Sequence, residues 1–260
     1  MQRKRIDQLL VERGFAESRH KAQALLLAGR VLVDEQKLEK PGRLVDPDAS
    51  IRLLGDLPFV GRGGIKLQAA LDHFRIPVSG RVCADLGAST GGFTDCLLQH
   101  GAREVHAFDV GEGQLTWELR SDRRVVVRDD FNVRYISDRD LPEHVSLVTV
   151  DLSFISVTKV LPRLKEALLG KAASLGDHRP AQEVDLVLLV KPQFEVGKGE
   201  VGKGGVVRDP AKRRSALSTI EESARALGFC VVGSIPSPIT GAKGNQEFLL
   251  YLKLNPDLSS

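Results

Sequence analysis

Cysteine is scarce in this sequence. Cys83, Cys96 and Cys230 are the only three in 260 residues, and no two of them form a C-x-x-C pair. That spacing excludes a thiolate zinc site and a disulfide framework, and it predicts a functional site without metal. Long apolar runs are also missing, since none approaches the ~18 residues that a membrane span requires. The N-terminus, MQRKRIDQLL, is basic but lacks the apolar stretch of a signal peptide. The expectation is a cytoplasmic protein with no membrane partner. Strong net charge is absent as well. At +3 the total is only mildly basic, so the placement of charge, not its sum, must argue for or against nucleic acid.

Apolar material is not lacking. Hydrophobic residues make up 42% of the chain, enough to bury a proper core and exclude disorder over most of its length. The length accommodates one doubly wound α/β domain with a small appendage. Residues 4–28 read as two short helices. Ile6, Leu9 and Leu10 share one helical face, and Gly14 closes that helix. Ser18 is placed as an N-cap before Ala22, Leu25, Leu26 and Leu27, and Gly29 ends the second helix. Val31 and Val33, residues 44–45 and residues 51–54 read as short strands. The Gly- and Pro-rich stretch 55–64 reads as a join between domains.

After about Val60 the rhythm becomes strand, then helix, repeated. Strands are expected at 82–86, 105–109, 125–128, 147–151, 186–190, 230–235 and 248–252, with helices at 93–100, 157–169 and 210–227. Such alternation predicts a parallel sheet covered by helices. The polar segment 171–183 is expected to be a surface loop.

The strongest local signal is Asp85-Leu86-Gly87-Ala88-Ser89-Thr90-Gly91-Gly92-Phe93-Thr94, which follows an apolar strand and leads into a helix. Glycines there let the backbone turn sharply and approach a ligand, and the helix start favours a negative group. The G-x-x-x-G-G spacing is not the dinucleotide fingerprint G-x-G-x-x-G. The second strand ends in Asp109-Val110-Gly111, where an acid can bond the two ribose hydroxyls of a nucleoside. The third runs into Asp129-Asp130-Phe131, where an acid can accept from an adenine amino group. Any one of these segments reads equally well as a strand-end turn with a solvated acid. The three in this order describe an adenosine-containing ligand.

Four ionisable residues sit where such a fold presents chemistry. Asp151 and Lys191 end the fourth and fifth strands, Glu247 opens the last, and Lys66 lies before the first. A lysine directly after four apolar strand residues is costly without a partner, and Asp151 and Glu247 are the acids available to form a neutral network. Strand carboxyl ends are where α/β folds place ligands, which points to function for Asp151 and Lys191. By position alone Glu247 reads either way, and Lys66 reads as an ordinary ion-pair residue. Methylation of a ribose hydroxyl needs an aligned acceptor and a route for its proton, and a lysine of lowered pKa can serve.

These segments resemble the TlyA (haemolysin A) group of rRNA 2′-O-methyltransferases, themselves similar to FtsJ-type enzymes. The resemblance runs through nearly the whole chain. It is carried by Gly61-Arg62-Gly63-Gly64-Ile65-Lys66, Asp85 to Phe93, Asp109-Val110-Gly111-Glu112-Gly113-Gln114-Leu115, Asp151-Leu152-Ser153-Phe154-Ile155-Ser156 and Val190-Lys191-Pro192-Gln193-Phe194-Glu195-Val196-Gly197. It implies a Rossmann-like methyltransferase sheet at 59–260 that binds S-adenosylmethionine. The expected contacts are Asp85, Gly87, Ala88, Ser89, Thr90, Gly91, Gly92, Phe93, Asp109, Val110, Asp130 and Phe131. It also implies a catalytic Lys66–Asp151–Lys191–Glu247 tetrad in which Lys191 is the base or the hydroxyl-orienting group. The acceptor is then a ribose 2′-hydroxyl of ribosomal RNA, by resemblance a cytidine, with rRNA or a ribosomal subunit as partner.

Residues 1–58 are similar to the α+β RNA-binding domain named after ribosomal protein S-four, through Arg5-Ile6-Asp7, Arg13-Gly14, Ser18-Arg19 and Gly29-Arg30-Val31. That likeness assigns Arg3, Arg5, Ser18, Arg19, Lys21 and Arg30 to RNA, as contacts that position rather than specify. Glu35-Gln36 stand where the pattern has glycine, which predicts an altered hairpin. The glycine-rich stretch 192–209 reads either as a lid over substrate or as a plain surface loop. A membrane-acting haemolysin is the alternative, opposed by a single tryptophan and no lipid-seeking helix. A non-catalytic rRNA-binding assembly factor is a third reading, opposed by the intact tetrad.

Overall fold

The computed structural model describes residues 3–27, 29–34, 36–53, 58–174, 183–197, 199–202, 204–241 and 243–255. Its contacts divide into two units, 1–57 and 58–260.

The first unit is small. β1 (Lys4–Arg5) leads into α1 (Ile6–Glu12), followed by α2 (Arg19–Leu27), β2 (Val31–Val33), β3 (Gln36–Lys37), β4 (Leu44–Val45) and β5 (Ile51–Leu53). Ser18 caps α2 as the sequence predicts, its hydroxyl accepting from the Lys21 N–H at 3.2 Å. β2 is the centre of a three-stranded antiparallel sheet with β3 and β5. Ile6, Leu10, Ala22, Leu26 and Val31 form its fully buried core. At the expected altered hairpin Val33 pairs with Gln36 and Asp34 adopts a φ of 49°, while Glu35 lies outside the described residues. So do residues 54–57 of the join.

The second unit carries a seven-stranded sheet. α3 (Arg62–Phe74) precedes β6 (Val82–Leu86), α4 (Gly92–Gln99), β7 (Glu104–Phe108), α5 (Trp117–Arg120), β8 (Val125–Arg128) and β9 (Val145–Val150). Then come α6 (Leu161–Ser174), β10 (Val184–Val190), α7 (Pro192–Glu195), α8 (Pro210–Ala226), β11 (Cys230–Pro236) and β12 (Phe248–Leu254). β6, β9 and β10 are buried over their whole length, as strands covered on both faces must be. Their side chains alternate between the two cores: Leu186, Leu188 and Val190 face one, Val187 and Leu189 the other.

The strand order is β11-β12-β10-β9-β6-β7-β8. From β6 the chain first winds outward through β7 and β8, then returns to β9 on the other flank. The order therefore reverses between β6 and β9, and a crevice opens at their carboxyl ends.

The sequence predicts a parallel sheet, and β6 to β10 form one. β12 departs from it. It runs antiparallel to both β10 and β11. Among the described residues no helix separates β11 from β12, and without a crossover neighbouring strands must reverse. Three further differences appear. Lys66 lies inside α3, not merely before a strand. Residues 192–195, expected to be loop, form α7. α6 continues through Lys171 to Ser174, and the rest of the expected surface loop, 175–182, lies outside the described residues.

Candidate active site

Antiparallel pairing brings the start of β12 to the edge where β9 and β10 end. Val190 pairs with Phe248, so Lys191 and Glu247 flank that pair at the carboxyl edge. The four expected ionisable residues resolve into two ion pairs. Lys66 Nζ meets Glu247 Oε2 at 2.6 Å, and both residues are buried. Lys191 Nζ lies 2.6 Å from Asp151 Oδ1 and donates to Ser153 Oγ at 3.0 Å. Each lysine thus has its own carboxylate, where the sequence pointed to one shared network.

Beside the second pair lies a cleft of about 450 Å³. Gly87, Ser89, Asp109, Val110 and Phe131 line it, as expected for the ligand, and so does Asp151. Gly87 has φ 91°, and a Cβ there would stand 2.4 Å from the Asp151 carbonyl oxygen. The loop after β6 and the end of β9 touch backbone to backbone, which only glycine permits. Asp109 organises the opposite wall. Its carboxylate accepts from the Ser89 N–H at 2.7 Å and the Gly111 N–H at 2.8 Å. An ionised carboxylate has about four acceptor sites, so the two backbone bonds and a longer one from the Gln114 side-chain amide at 3.3 Å still leave capacity for a ribose hydroxyl. Phe131 packs at a tilt of 59° against buried Phe108, 5.0 Å between ring centroids, and presents an apolar surface to the cleft.

Other expected contacts are not brought to the cleft. Asp130 is exposed, with φ 55°. Ala88, Thr90, Gly91, Gly92 and Phe93 are not among the lining residues. Gly92 has a packing role instead, because a Cβ would meet the Gly63 and Gly64 amide nitrogens at 3.1 and 3.0 Å. α3 and α4 approach closely there, which helps hold Lys66 in place.

Asp85 also departs from expectation. Its carboxylate turns inward and is fully buried, accepting from Thr94 Oγ1 at 2.7 Å and Thr149 Oγ1 at 2.8 Å. It braces the loop from below and does not reach a ligand. Burial pushes its pKa up to about 6, against the opposing pull of the two hydroxyls. Because the folded value exceeds the ordinary 3.8, ionisation opposes folding. The stability present below pH ~4 falls as pH rises to ~6, by about 3 kcal/mol in all. Denaturant unfolding of Asp85→Asn at pH 4 and pH 8 checks this. Relative to the parent, the variant should gain about 2.5 kcal/mol more at pH 8 than at pH 4, where the unfolded carboxyl is already partly ionised. An equal difference at both pH values excludes the buried charge as its source.

The structure adds residues that the site predictions omit. Ser153 and Phe154 line the cleft, and Phe154 is 86% exposed with φ 63°. A bulky residue at positive φ is uncommon, and an exposed aromatic ring there is not explained by packing. Both residues stand in a segment that the sequence singles out, but no local pattern distinguishes them from the apolar residues around them.

In the first unit the basic residues fall into separate places. Arg5 and Arg19 both donate to buried Asp7, Arg5 through two nitrogens, each at 3.0 Å. The Arg5 guanidinium holds the Asp7 carboxyl well below the usual range. Lys21 and Arg30 line a second cleft with Phe15, and Arg3 lines a third with Lys37 and Arg43.

A family model described as FtsJ-like methyltransferase matches residues 59–254, and one described as S4 domain matches residues 4–51. The chain is 45% identical over 257 residues to a Mycobacterium tuberculosis protein named 16S/23S rRNA (cytidine-2′-O)-methyltransferase TlyA, covering 98% of this chain and 91% of that one. It is 40% identical over 248 residues to Hemolysin A of Brachyspira hyodysenteriae, covering 95% and 98%. A solved structure from Streptococcus thermophilus, also named for hemolysin, aligns with a TM-score of 0.72 at 37% identity, covering 100% of this chain and 93% of that one. An S-adenosylmethionine-dependent methyltransferase from Mesorhizobium loti aligns at 0.51 with 16% identity, over 75% and 100%. That last likeness is one of fold alone.

Proposed function

Since the chain belongs to the FtsJ-like methyltransferase family, we propose that it transfers a methyl group from S-adenosylmethionine to a ribose 2′-hydroxyl of ribosomal RNA, the acceptor being a cytidine. One observation supports this most. Asp151 both lines the nucleoside-sized cleft and pairs with Lys191 at 2.6 Å. A cofactor in the cleft and an acceptor at Lys191 are then neighbours through a single carboxylate.

The residues present fit this cofactor. Asp109 would take a ribose hydroxyl, Val110 and Phe131 would face the adenine, and the Gly87–Ser89 backbone would border the remainder. When bound, S-adenosylmethionine supplies the activated methyl group. Lys191 orients the acceptor hydroxyl, and the proton released on methylation ends on the Asp151 carboxylate, relayed by Lys191, which gives one proton to Asp151 as it takes one from the hydroxyl. Ser153 fixes the direction of the ammonium. Lys66, held by Glu247, assists at the acceptor ribose or its phosphate. Positioning provides much of the rate, because the donor is already reactive. Phe154 offers its open ring to a base of the RNA.

In the first unit Arg3, Arg5, Arg19, Lys21 and Arg30 bind RNA phosphate, with Asp7 holding two of the guanidiniums in place. The same proposal makes a ribosomal subunit in the cytoplasm the physiological substrate. No helix among the described residues is long and apolar enough to cross a membrane.

The test is transfer from labelled S-adenosylmethionine to rRNA and to isolated subunits, with the 2′-O-methyl position mapped. A methylated cytidine ribose is the expected result. Binding of rRNA without transfer would leave only an assembly factor. Leakage from liposomes without cofactor would favour a haemolysin.

A further inference from the structure

Two short segments leave the sheet side by side, 151–157 after β9 and 191–195 after β10. They are joined at both ends. Near the sheet, Lys191 meets Asp151 and Ser153. At the far end the Glu195 carboxylate accepts from Ser156 Oγ at 2.6 Å and from the Val157 N–H at 2.9 Å. Between these ends the rings of Phe154 and Phe194 lie 5.1 Å apart.

The first segment is under strain. Phe154 has a φ of 63°, a conformation that a bulky L-residue holds only when its surroundings impose it. Upstream, the Asp151 N–H is anchored to the Leu86 carbonyl at 2.9 Å. Downstream, the anchor is Glu195. Its two bonds fall where the 3₁₀ turn Val157–Lys159 begins, and Val157 is buried. Burial raises the Glu195 pKa, and the bonds from Ser156 and Val157 only partly offset that rise.

We propose that Glu195 is a positioning residue: it clamps the segment after β9 to the segment after β10 and so holds Ser153 and Asp151 around Lys191. This rests on the assignment of Lys191 made above. Without the carboxylate, the strained segment is free to relax at Phe154. Ser153 sits next to that residue and would lose its alignment with the ammonium. The cofactor wall built by Asp109 and Gly87 does not involve Glu195. A clamp therefore acts mainly on turnover, and reaches cofactor binding only through Asp151, Ser153 and Phe154, which also line the cleft.

Glu195→Ala is expected to lower kcat on rRNA by roughly 10- to 100-fold, as small misplacements of reacting groups do. KM for S-adenosylmethionine should rise by less than kcat falls, within about fivefold, and the melting temperature should stay within a few degrees. Glu195→Gln keeps one acceptor oxygen and should return kcat to within about fivefold of the parent. Amide hydrogen exchange over 153–157 should be about tenfold faster in the alanine variant, a readout independent of activity. Unchanged kcat and unchanged exchange overturn the clamp. So does a loss that follows the melting temperature and is no better in the glutamine variant. If Glu195→Ala does not fold, Ser156→Ala carries the test, since parental kcat and exchange in that variant overturn the proposal. Parent protein that transfers no methyl sinks the enzymatic reading instead, and exchange alone then decides the clamp.

Discussion

Lys191→Ala is expected to lower methyl transfer to rRNA by about 10³-fold, with affinity for S-adenosylmethionine within about twofold of the parent. The separation follows from position. Asp151 lines the cleft and Lys191 does not, so truncating the lysine removes the group facing the acceptor and leaves the cofactor walls intact. Folding should survive. The Asp151 side chain left behind is 22% exposed, and leaving it unpaired costs about 1–2 kcal/mol. Lys191→Arg restores a charge but not its shape, because a planar guanidinium cannot take the place of a compact ammonium between Asp151 and Ser153. It should recover stability without recovering rate. Single-turnover transfer and calorimetric cofactor binding measure the two quantities separately. Transfer by Lys191→Ala within tenfold of the parent would remove the lysine from the chemistry.

The second large effect concerns Lys66 and Glu247. Their side chains are 10% and 3% exposed, and they meet at 2.6 Å. Glu247→Ala strands an ammonium in a buried place, which typically costs about 3–5 kcal/mol. Activity should fall at least ~10²-fold with it. That variant alone does not separate folding from chemistry, so the apolar double variant Lys66→Met/Glu247→Leu is needed. Replacing a buried ion pair by packed apolar groups is often neutral or stabilising, because two desolvation costs disappear together. The double variant should therefore unfold within about 1 kcal/mol of the parent while methyl transfer stays lost. Denaturant unfolding and transfer assays on all three variants complete the cycle. A double variant that folds and methylates normally would make this pair structural.

The four charged positions are legible in the sequence because each stands at a change of pattern. Asp151 and Lys191 follow apolar runs buried on both faces, and a charge there marks the end of a strand. Lys66 and Glu247 are less legible. Lys66 looks like a surface residue until α3 is packed against β12, and Glu247 looks remote until β12 reverses. The loop after β6 shows the opposite failure. Its glycines and acid all read as ligand contacts, yet Asp85 is spent on Thr94 and Thr149, and Gly92 on the approach of α3. One composition serves both purposes, and side-chain direction separates them.

By itself the sequence determined the order of the seven sheet strands and of three helices among them, the two-part organisation of its patterns, and which residues stand at strand ends. These are local properties, set by hydrophobic period and by turn chemistry within a few residues. Only the tertiary structure decided partners and directions. It gave Lys66 to Glu247, 181 positions away, and Lys191 to Asp151, turned Asp85 inward, and set Glu195 under Ser156. The physical reason is that an ion pair or a buried hydrogen bond depends on atoms brought within about 3 Å by chain reversal and helix packing, and no local pattern encodes that distance.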